Sequence, residues 1–254
     1  MALFNDGPAS SIEDLSGHDS QLLDVAKTEE IDVTRKLELA HEEIGVELGT
    51  LLSRLNVGVD LGVPVSGAGI DQVVVTAPLK LWHTFRALEL VYRDAYYSQL
   101  NDRYGRKRDE YHELAAWAHE KLIQSGIGIA QDPIARAAAP AVSAAPGALA
   151  DGTYYVAAAW INRAGEEGAS SPPVQITTSG STFAAQCVQA PANAGGWNVY
   201  AGTSPAVLLL QNVCPLPIGQ GWMQPSALGT ASRQAGTGQA PSYMRQAPRI
   251  LQRG

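Results

Sequence analysis

The chain has 254 residues and a formal net charge of −7, and its charged residues are divided unevenly along its length. Residues 1–132 carry 12 Lys and Arg against 22 Asp and Glu, whereas residues 133–254 carry 6 against 3. At roughly 100 to 200 residues per domain, this length and this division predict two modest domains that meet near residue 133.

The composition also excludes several classes of protein. No run of about 18 apolar residues occurs, and no apolar segment precedes the first basic residue, Lys27, so neither a membrane span nor a secretory signal is expected. Two cysteines, Cys187 and Cys214, are too few for a disulfide scaffold and indicate packed thiols in a reducing compartment. The acidic balance argues against tight binding to a nucleic-acid backbone.

The first half reads as helical. Residues 19–26 form a short candidate helix, and Thr28 is predicted to cap a long helix that ends before Asn56. Apolar residues then recur every three or four positions, as on one stripe of a helix. The stripe consists of Val33, Leu37, Ala40, Ile44, Leu48, Leu51 and Leu55. Four glycines and a proline make residues 56–77 a loop or a hairpin excursion.

A second apolar stripe runs from Leu81 to Leu122 with a repeat close to 3.5 residues, and Gly126 ends it. The stripe crosses Gly105 without a change of phase. It predicts either one helix of about 45 residues or two coaxial helices kinked at Gly105, because an interior glycine costs only about 1 kcal/mol. These helices predict an antiparallel helical bundle over residues 1–132.

The second half reads as strands. Residues 133–150 are rich in Ala and Pro and are expected to form a linker or a first edge strand. Short runs rich in Val, Thr and aromatic residues follow at regular spacing and predict a β-sandwich of immunoglobulin-like size over residues 151–239. The predicted strands cover residues 152–162, 174–178, 183–189, 196–201 and 207–213.

Two segments of the second half resemble a known module. Residues 152–172 read GTYYVAAAWINRAGEEGASSP, and residues 196–204 read GWNVYAGTS. They resemble the fibronectin type III-like modules of bacteriophage structural proteins, in which a Tyr-rich strand runs into a Gly-Glu turn and a later Trp-Asn-Val-Tyr strand packs across the sandwich. The resemblance covers roughly residues 136–240.

The first half is similar to the helical head-to-tail connectors that dock beneath the portal of tailed phages. Its segments SGHDSQLLD (16–24), KLELAHEEI (36–44) and FRALELVYRDAYYSQLNDRY (85–104) carry this likeness. The resemblance implies an α+β multidomain virion protein of the phage neck, assembled in the bacterial host cytoplasm. It also implies a homo-oligomeric, twelve-fold ring that contacts the portal protein and a tail or further neck protein, with passing DNA only transiently nearby.

Motifs of catalysis are incomplete throughout. His112-Glu113 begins like the zinc-protease motif HExxH, but position 116 is Ala. His112 and His119 are seven residues apart and could share a helix face, although surface or interface histidines explain them better than a metal site. No G-x-S-x-G elbow, P-loop or complete dinucleotide fingerprint occurs. We therefore expect no catalytic residues, no cofactor and no metal, and hence no enzyme.

Two clusters are candidate contacts with partners. One is the dense basic cluster, which could face DNA in a channel or an acidic partner but is balanced by Asp102, Asp109 and Glu110. It consists of Arg103, Arg106, Lys107 and Arg108. The other is an extended C-terminal arm over residues 240–254, which would dock on the portal or else be a frayed tail. Its candidate contacts are Tyr243, Met244, Arg245, Arg249, Ile250, Leu251 and Arg253.

Two other functions remain open on the sequence. The sandwich could bind a host glycan or surface while the helices form a stalk, as in a trimeric fibre or baseplate protein. A helical enzyme with a β accessory domain is the weakest alternative, because its motifs are missing. Residues 168–232 contain no charged residue, which suits close packing against a neighbour at little desolvation cost.

Overall fold

A computed structural model describes residues 2–56, 67–99, 102–230, 232–236 and 238–245, and the structural statements below concern these residues. They form a mixed α+β protein with five α-helices and antiparallel sheets. The helices are α1 (Ile12–His18), α2 (Leu22–Thr28), α3 (Val33–Asn56), α4 (Ala77–Gln99) and α5 (Asp102–Ser125). The strands are β1 (Ile127–Ile129), β2 (Ala141–Ala145), β3 (Gly152–Asn162), β4 (Val174–Thr178), β5 (Thr182–Gln186), β6 (Ala194–Ser204), β7 (Val207–Leu210), β8 (Trp222–Met223) and β9 (Ser242–Met244). None of the described helices is long and apolar enough to cross a bilayer.

The chain forms two compact units, each assembled from two separate stretches. The β unit comprises the described residues of Met1–Asp6 and Ala130–Ala240, and the helical unit comprises those of Gly7–Ile129 and Pro241–Gly254. The change of unit at residue 130 lies close to the change in charge near residue 133. The chain therefore passes from one unit to the other three times.

Specific contacts tie the described residues before Gly7 to the β unit and those after Ala240 to the helical unit. Leu3 and Phe4 are almost completely buried, and Asp6 joins this stretch to the rest of the β unit by accepting the Arg136 amide at 2.7 Å. At the other end, β9 pairs antiparallel with β1, with Ile127 opposite Met244. The segment predicted as an extended arm from residue 240 thus begins with a strand of the helical unit.

The long helix α3 follows its predicted stripe closely. Its buried residues are Val33, Leu37, Ala40, Ile44, Leu48 and Leu52. The predicted start was wrong, because Thr28 ends α2 instead of capping α3. Glu30 adopts a left-handed backbone with φ of 54°, which interrupts the helix, and the Oδ1 atom of Asp32 then accepts the Arg35 amide at 3.1 Å.

Helices α4 and α5 pack side by side, so the predicted coaxial arrangement was wrong. The rings of Tyr92 in α4 and Tyr111 in α5 stack with centroids 5.6 Å apart. Helix α4 ends at Gln99, α5 begins at Asp102, and Gly105 lies inside α5. A Cβ on Gly105 would come within 3.2 Å of the Tyr96 ring, so this glycine allows close packing between the helices.

A buried carboxylate joins the start of the helical unit to this pair. Asp19 accepts hydrogen bonds from the hydroxyls of Tyr92 and Tyr111, at 2.7 and 2.9 Å, and from the Gln21 amide at 2.9 Å. Burial opposes ionisation of Asp19, but these hydrogen bonds and the Lys107 charge outweigh it, and the pKa of the carboxyl lies below its ordinary value. Burial beside this anion raises the pKa of both tyrosines.

The β unit contains two antiparallel sheets. One has the strand order β2-β5-β8, and the other has the order β4-β3-β6-β7. The predicted strand at residues 152–162 is confirmed as β3, and the one at 174–178 as β4. The Trp-Asn-Val-Tyr strand, expected to pack across from the Tyr-rich strand, lies in β6 and is its hydrogen-bonded neighbour, with Trp197 opposite Trp160.

Side chains from both sheets share one apolar core. Trp160 of β3 and Trp197 of β6 are its largest members, and Phe183 of β5 enters it from the other sheet. Alternate residues of β3 and β6 point the other way, where Tyr200 and Leu208 belong to a second, smaller apolar cluster. Both faces of β3 and β6 are therefore buried.

Candidate functional site

An open groove with a volume of about 540 Å³ runs along the surface of the helical unit. Helix α4 packs against both α3 and α5, and all three helices line the groove. Its lining residues are Glu43, Ile44, Val46, Glu47, Trp82, Arg86, Glu89, His112, Ala115, Ala116 and His119. We take this groove as the candidate site for binding.

Helical spacing explains how these residues come together. On α4, Trp82, Arg86 and Glu89 are separated by four and three residues, so they share one face of the helix. On α5, His112 and His119 also share a face, as the sequence indicated. Each helix therefore contributes one continuous edge of the groove.

The charges in the groove are tied to one another. The Arg86 guanidinium donates to Glu43 and to Glu89, both at 2.6 Å. Burial disfavours its charge, but the two carboxylates outweigh burial and raise the pKa of Arg86. Glu89 also contacts the Nδ1 atom of His112 at 3.0 Å. With Glu47 included, three carboxylates face one arginine, so the groove is acidic.

The rest of the groove is apolar and aromatic. The Trp82 ring lies 4.6 Å from that of His119, centroid to centroid. The Nε2 atom of His119 is buried and has no hydrogen-bond partner within the described part of the chain. Val46 is 74% exposed, an unusual position for a large aliphatic side chain. An apolar floor with an acidic rim suits an amphipathic segment that carries basic residues.

A smaller cavity of about 100 Å³ lies further along α3 and α5. Leu51 and Ile123 line it, each four residues beyond a residue that lines the groove, and so does Met244 of β9. The groove and this cavity are separate, but they follow each other along α3 and α5, and we call their combined lining the α3–α5 seam. The C-terminal strand reaches its far end.

Two residues of the predicted basic cluster, Lys107 and Arg108, are paired with carboxylates of the chain. Arg103 donates to the Gln21 side chain at 2.9 Å, and Lys107 lies 3.5 Å from Asp19. Arg108 binds Asp109 at 2.7 Å and covers the Tyr96 ring at 4.8 Å. Arg106 is exposed on the same helix. The structure brings these four residues together on α5 and places Lys107 and Arg108 beside carboxylates.

The predicted arm is only partly described. Tyr243 is half-exposed, Met244 lines the seam, and the Arg245 Nε atom donates to the Ser125 carbonyl at 2.8 Å. Cations favour this position at the C-terminus of a helix. The other predicted contacts lie outside the described residues. They are Arg249, Ile250, Leu251 and Arg253.

The β unit contains a second buried carboxylate, which the sequence analysis missed. The side chain of Glu167 is 3% exposed and accepts from Asn198 at 2.5 Å, Tyr200 at 2.6 Å and Arg233 at 2.5 Å. Burial and this carboxylate raise the pKa of Tyr200. The sequence contains one indication of this ion pair: Glu167 and Arg233 stand at the two ends of a stretch that has no other charged residue.

The thiols and the potential metal ligands are dispersed. Cys187 is buried and Cys214 is exposed, and both are free. Burial raises the pKa of the Cys187 thiol to about 12. Among the described residues, no group of three or more His, Cys, Asp or Glu side chains is arranged to hold a metal ion.

The groove could not be predicted directly from the sequence, because it arises where three helices meet. A usable signal was present on α4, where Arg86 and Glu89 stand among the apolar residues of segment 85–91. No protein-family model, curated protein or solved structure matches the chain. Its function must therefore be inferred from its own residues.

Proposed function

We propose that this chain is a structural protein of the neck of a tailed phage, a head-to-tail connector that forms a ring below the portal. In this proposal the helical unit is an antiparallel bundle that builds the ring, and the β unit is a fibronectin type III-like sandwich on its outside. The ring would contact the portal and a tail or further neck protein while DNA passes through it. The protein is not an enzyme in this proposal.

The observation that carries the proposal is the exposed apolar surface of the helical unit. Val46, Tyr97 and Trp117 are 74%, 64% and 46% exposed, and Leu23 is also exposed. Contiguous exposed apolar surface is typical of sites that bind other proteins, and these side chains are the candidates for such a surface in an assembly. They lie on α2, α3, α4 and α5, so a subunit could contact neighbours on more than one side, as a closed ring requires.

The charge of the two units supports the same role. The acidic helical half would line a channel without holding the passing DNA, because phosphates are repelled by carboxylates. In the basic cluster on α5, the charges of Lys107 and Arg108 are offset by neighbouring carboxylates, which weakens the attraction of this cluster for DNA. A strongly basic inner wall in the assembled ring would argue against it.

The test is the state of assembly of the full chain. Negative-stain images and mass photometry, alone and with the portal protein, should show closed rings. Trp117→Glu should reduce ring formation, because it places a charge on the exposed apolar surface. Glu113→Gln, an exposed change on the same helix, should leave rings intact. Monomers in both conditions, or trimeric rods, would exclude a connector.

A fibre or baseplate protein is the second candidate, and one observation favours it. In the charge-free stretch of the β unit, Val213, Ile218 and Met223 are all more than half exposed. Such a surface would also suit binding to a host glycan or cell surface. This candidate requires trimers, and a glycan array probed with the full chain would show specific binding.

A further inference from the structure

The short helix α2 presents an apolar and a basic side chain next to each other on its exposed face. Leu23 and Lys27 are four residues apart, so they are neighbours on one side of the helix, and we call them the α2 row. Leu23 is 55% exposed, and the exposed Lys27 ammonium forms no ion pair with any described residue. Asp24 lies about 60° around the helix from Lys27, on the side away from Leu23.

The groove presents the opposite charge beside an exposed apolar side chain. Val46 of α3 is followed directly by Glu47, whose carboxylate forms no ion pair within the described ranges. The other carboxylates of the groove share Arg86, so the groove keeps an excess of negative charge. The α2 row and the groove are therefore complementary in charge, and each also exposes apolar surface whose burial is favourable.

The α2 row cannot reach the groove of its own chain. The residues that flank α2 are fixed at the other end of the α4–α5 pair, because Arg103 donates to Gln21 at 2.9 Å and Ser98 donates to Glu29 at 2.7 Å. The groove residues of α4 end nine positions before Ser98, and those of α5 begin nine positions after Arg103. This is about 14 Å along each helix. A contact between the row and a groove must therefore join two chains.

We propose that the α2 row of one copy docks in the groove of a second copy. Leu23 packs beside Val46, and Lys27 pairs with Glu47. A helix in this groove would lie against α4 between α3 and α5, as the fourth helix of a bundle does. Because the row and the groove are different surfaces of one subunit, the contact can repeat from copy to copy. The inference rests on the proposed ring, which forms when this repeat closes.

Disulfide trapping between two tagged forms of the full chain tests the contact. In a Cys214→Ser background, one form carries Leu23→Cys and the other carries Val46→Cys, and the mixture is exposed to mild oxidant. Buried Cys187 stays unreactive, because its thiol is rarely ionised. We expect the mixed disulfide to form at least about tenfold faster than in a control mixture, because docking raises the effective concentration of the two thiols.

The control mixture contains Glu38→Cys in place of Val46→Cys. Glu38 is exposed, lies about 12 Å from Val46 along α3 and does not line the groove. Equal rates in the two mixtures would overturn the proposal. Disulfides between two copies of the same form, as the main product, would also overturn it, because they indicate a two-fold contact instead of a head-to-tail one.

Charge reversal tests the pair itself. Lys27→Glu or Glu47→Lys alone should slow trapping about fivefold, because two like charges then face each other. Both changes in every chain restore opposite charges across the contact and should restore the rate. A double variant that is as slow as the single variants would contradict the pair.

Images of the same samples separate this contact from the proposed ring. Closed rings without faster trapping at Val46→Cys would overturn the docking of α2 and leave the ring proposal standing. Faster trapping in open chains of subunits would support the docking and count against a closed ring.

Discussion

The buried carboxylate of Glu167 links its own segment to β6 and to the segment that contains Arg233. It accepts hydrogen bonds from Asn198 and Tyr200 of β6 and from Arg233, which comes from a distant segment. A carboxylate with so little exposure is tolerable only when several donors compensate for the lost water. Its partners should therefore contribute more to stability than similar groups elsewhere in the chain.

Replacing Tyr200 with Phe should lower the free energy of unfolding by about 1.5 to 3 kcal/mol, because the hydroxyl donates to a charged group. Tyr155→Phe is the matched control, since the Tyr155 hydroxyl makes no hydrogen bond to any described residue. It should change stability by no more than about 0.5 kcal/mol. Urea denaturation of both variants measures the difference, and equal losses would contradict the assigned role of Glu167.

Protonation of His83 should make the protein sensitive to mild acid. Its ring is fully buried, its Nδ1 atom accepts from Ser10 at 2.5 Å, and its Nε2 atom faces the Leu37 carbonyl at 3.1 Å. Because a carbonyl only accepts, Nε2 carries the proton of a neutral ring. Burial, assisted by nearby His41, lowers the pKa of His83 from 6.5 to about 4.

The unfolded chain gains this proton near pH 6.5, whereas the folded chain gains it only near pH 4. Stability should therefore fall by roughly 3 kcal/mol as the pH drops through this window, and the loss should level off below it. Urea denaturation at several pH values measures the slope. His83→Gln should remove this part of the slope, and an unchanged slope in that variant would exclude His83 as its source.

At the scale of elements, the glycines inside α3 and α5 differ in whether neighbouring side chains need the space that a Cβ atom would fill. Gly49 lies within α3, and a Cβ there would meet nothing within 4 Å, whereas a Cβ on Gly105 in α5 would press on the Tyr96 ring. Glycine inside a helix is unfavourable by about 1 kcal/mol relative to Ala. At Gly105 this cost is offset, because the missing side chain lets the Tyr96 ring pack closely against α5.

Gly49→Ala should accordingly raise the free energy of unfolding by about 1 kcal/mol. Gly105→Ala should give no gain or a loss, because the Tyr96 ring must move. Combining Gly105→Ala with Tyr96→Ala should recover a gain relative to Tyr96→Ala alone. Thermal denaturation of these variants measures the changes in stability. An equal increase in stability at the two glycines would contradict the packing described for α4 and α5.

The elements that sequence patterns predicted well are those with strong local signals. The stripe of α3 and the strand β3 depend on spacing within one segment. Helix α1 was missed although Ser11 and Asp14 form a capping box, a signal present in the sequence. The side-by-side packing of α4 and α5 could not be predicted, because a stripe keeps its phase whether a helix continues or folds back. The groove depends on that packing.

At the scale of the whole molecule, strand β9 should stabilise the helical unit. Its three residues cover one edge of β1, which Val73 bridges at Ile129 on the other side. Deleting the residues from Pro241 onwards should speed hydrogen exchange in peptides that contain Ile127–Ile129, because an edge of the strand loses its partner. Exchange in the β unit should stay unchanged.

A shorter deletion, starting at residue 246, leaves β9 in place and serves as the control. It should preserve the protection of β1. Hydrogen-exchange mass spectrometry compares the two truncations with the full chain. Equal protection of β1 in all three proteins would show that β9 does not contribute to the stability of the helical unit.

The three passages between the units also set an order of events during synthesis. Leu3 and Phe4 leave the ribosome before the helices, yet they belong to the unit whose strands are synthesised after the helices. Ser242 to Arg245 are synthesised after the whole β unit, yet they complete the helical unit. Nascent helices must therefore remain incomplete while the strands emerge and fold. A chaperone that recognises exposed β1 would have that interval in which to act.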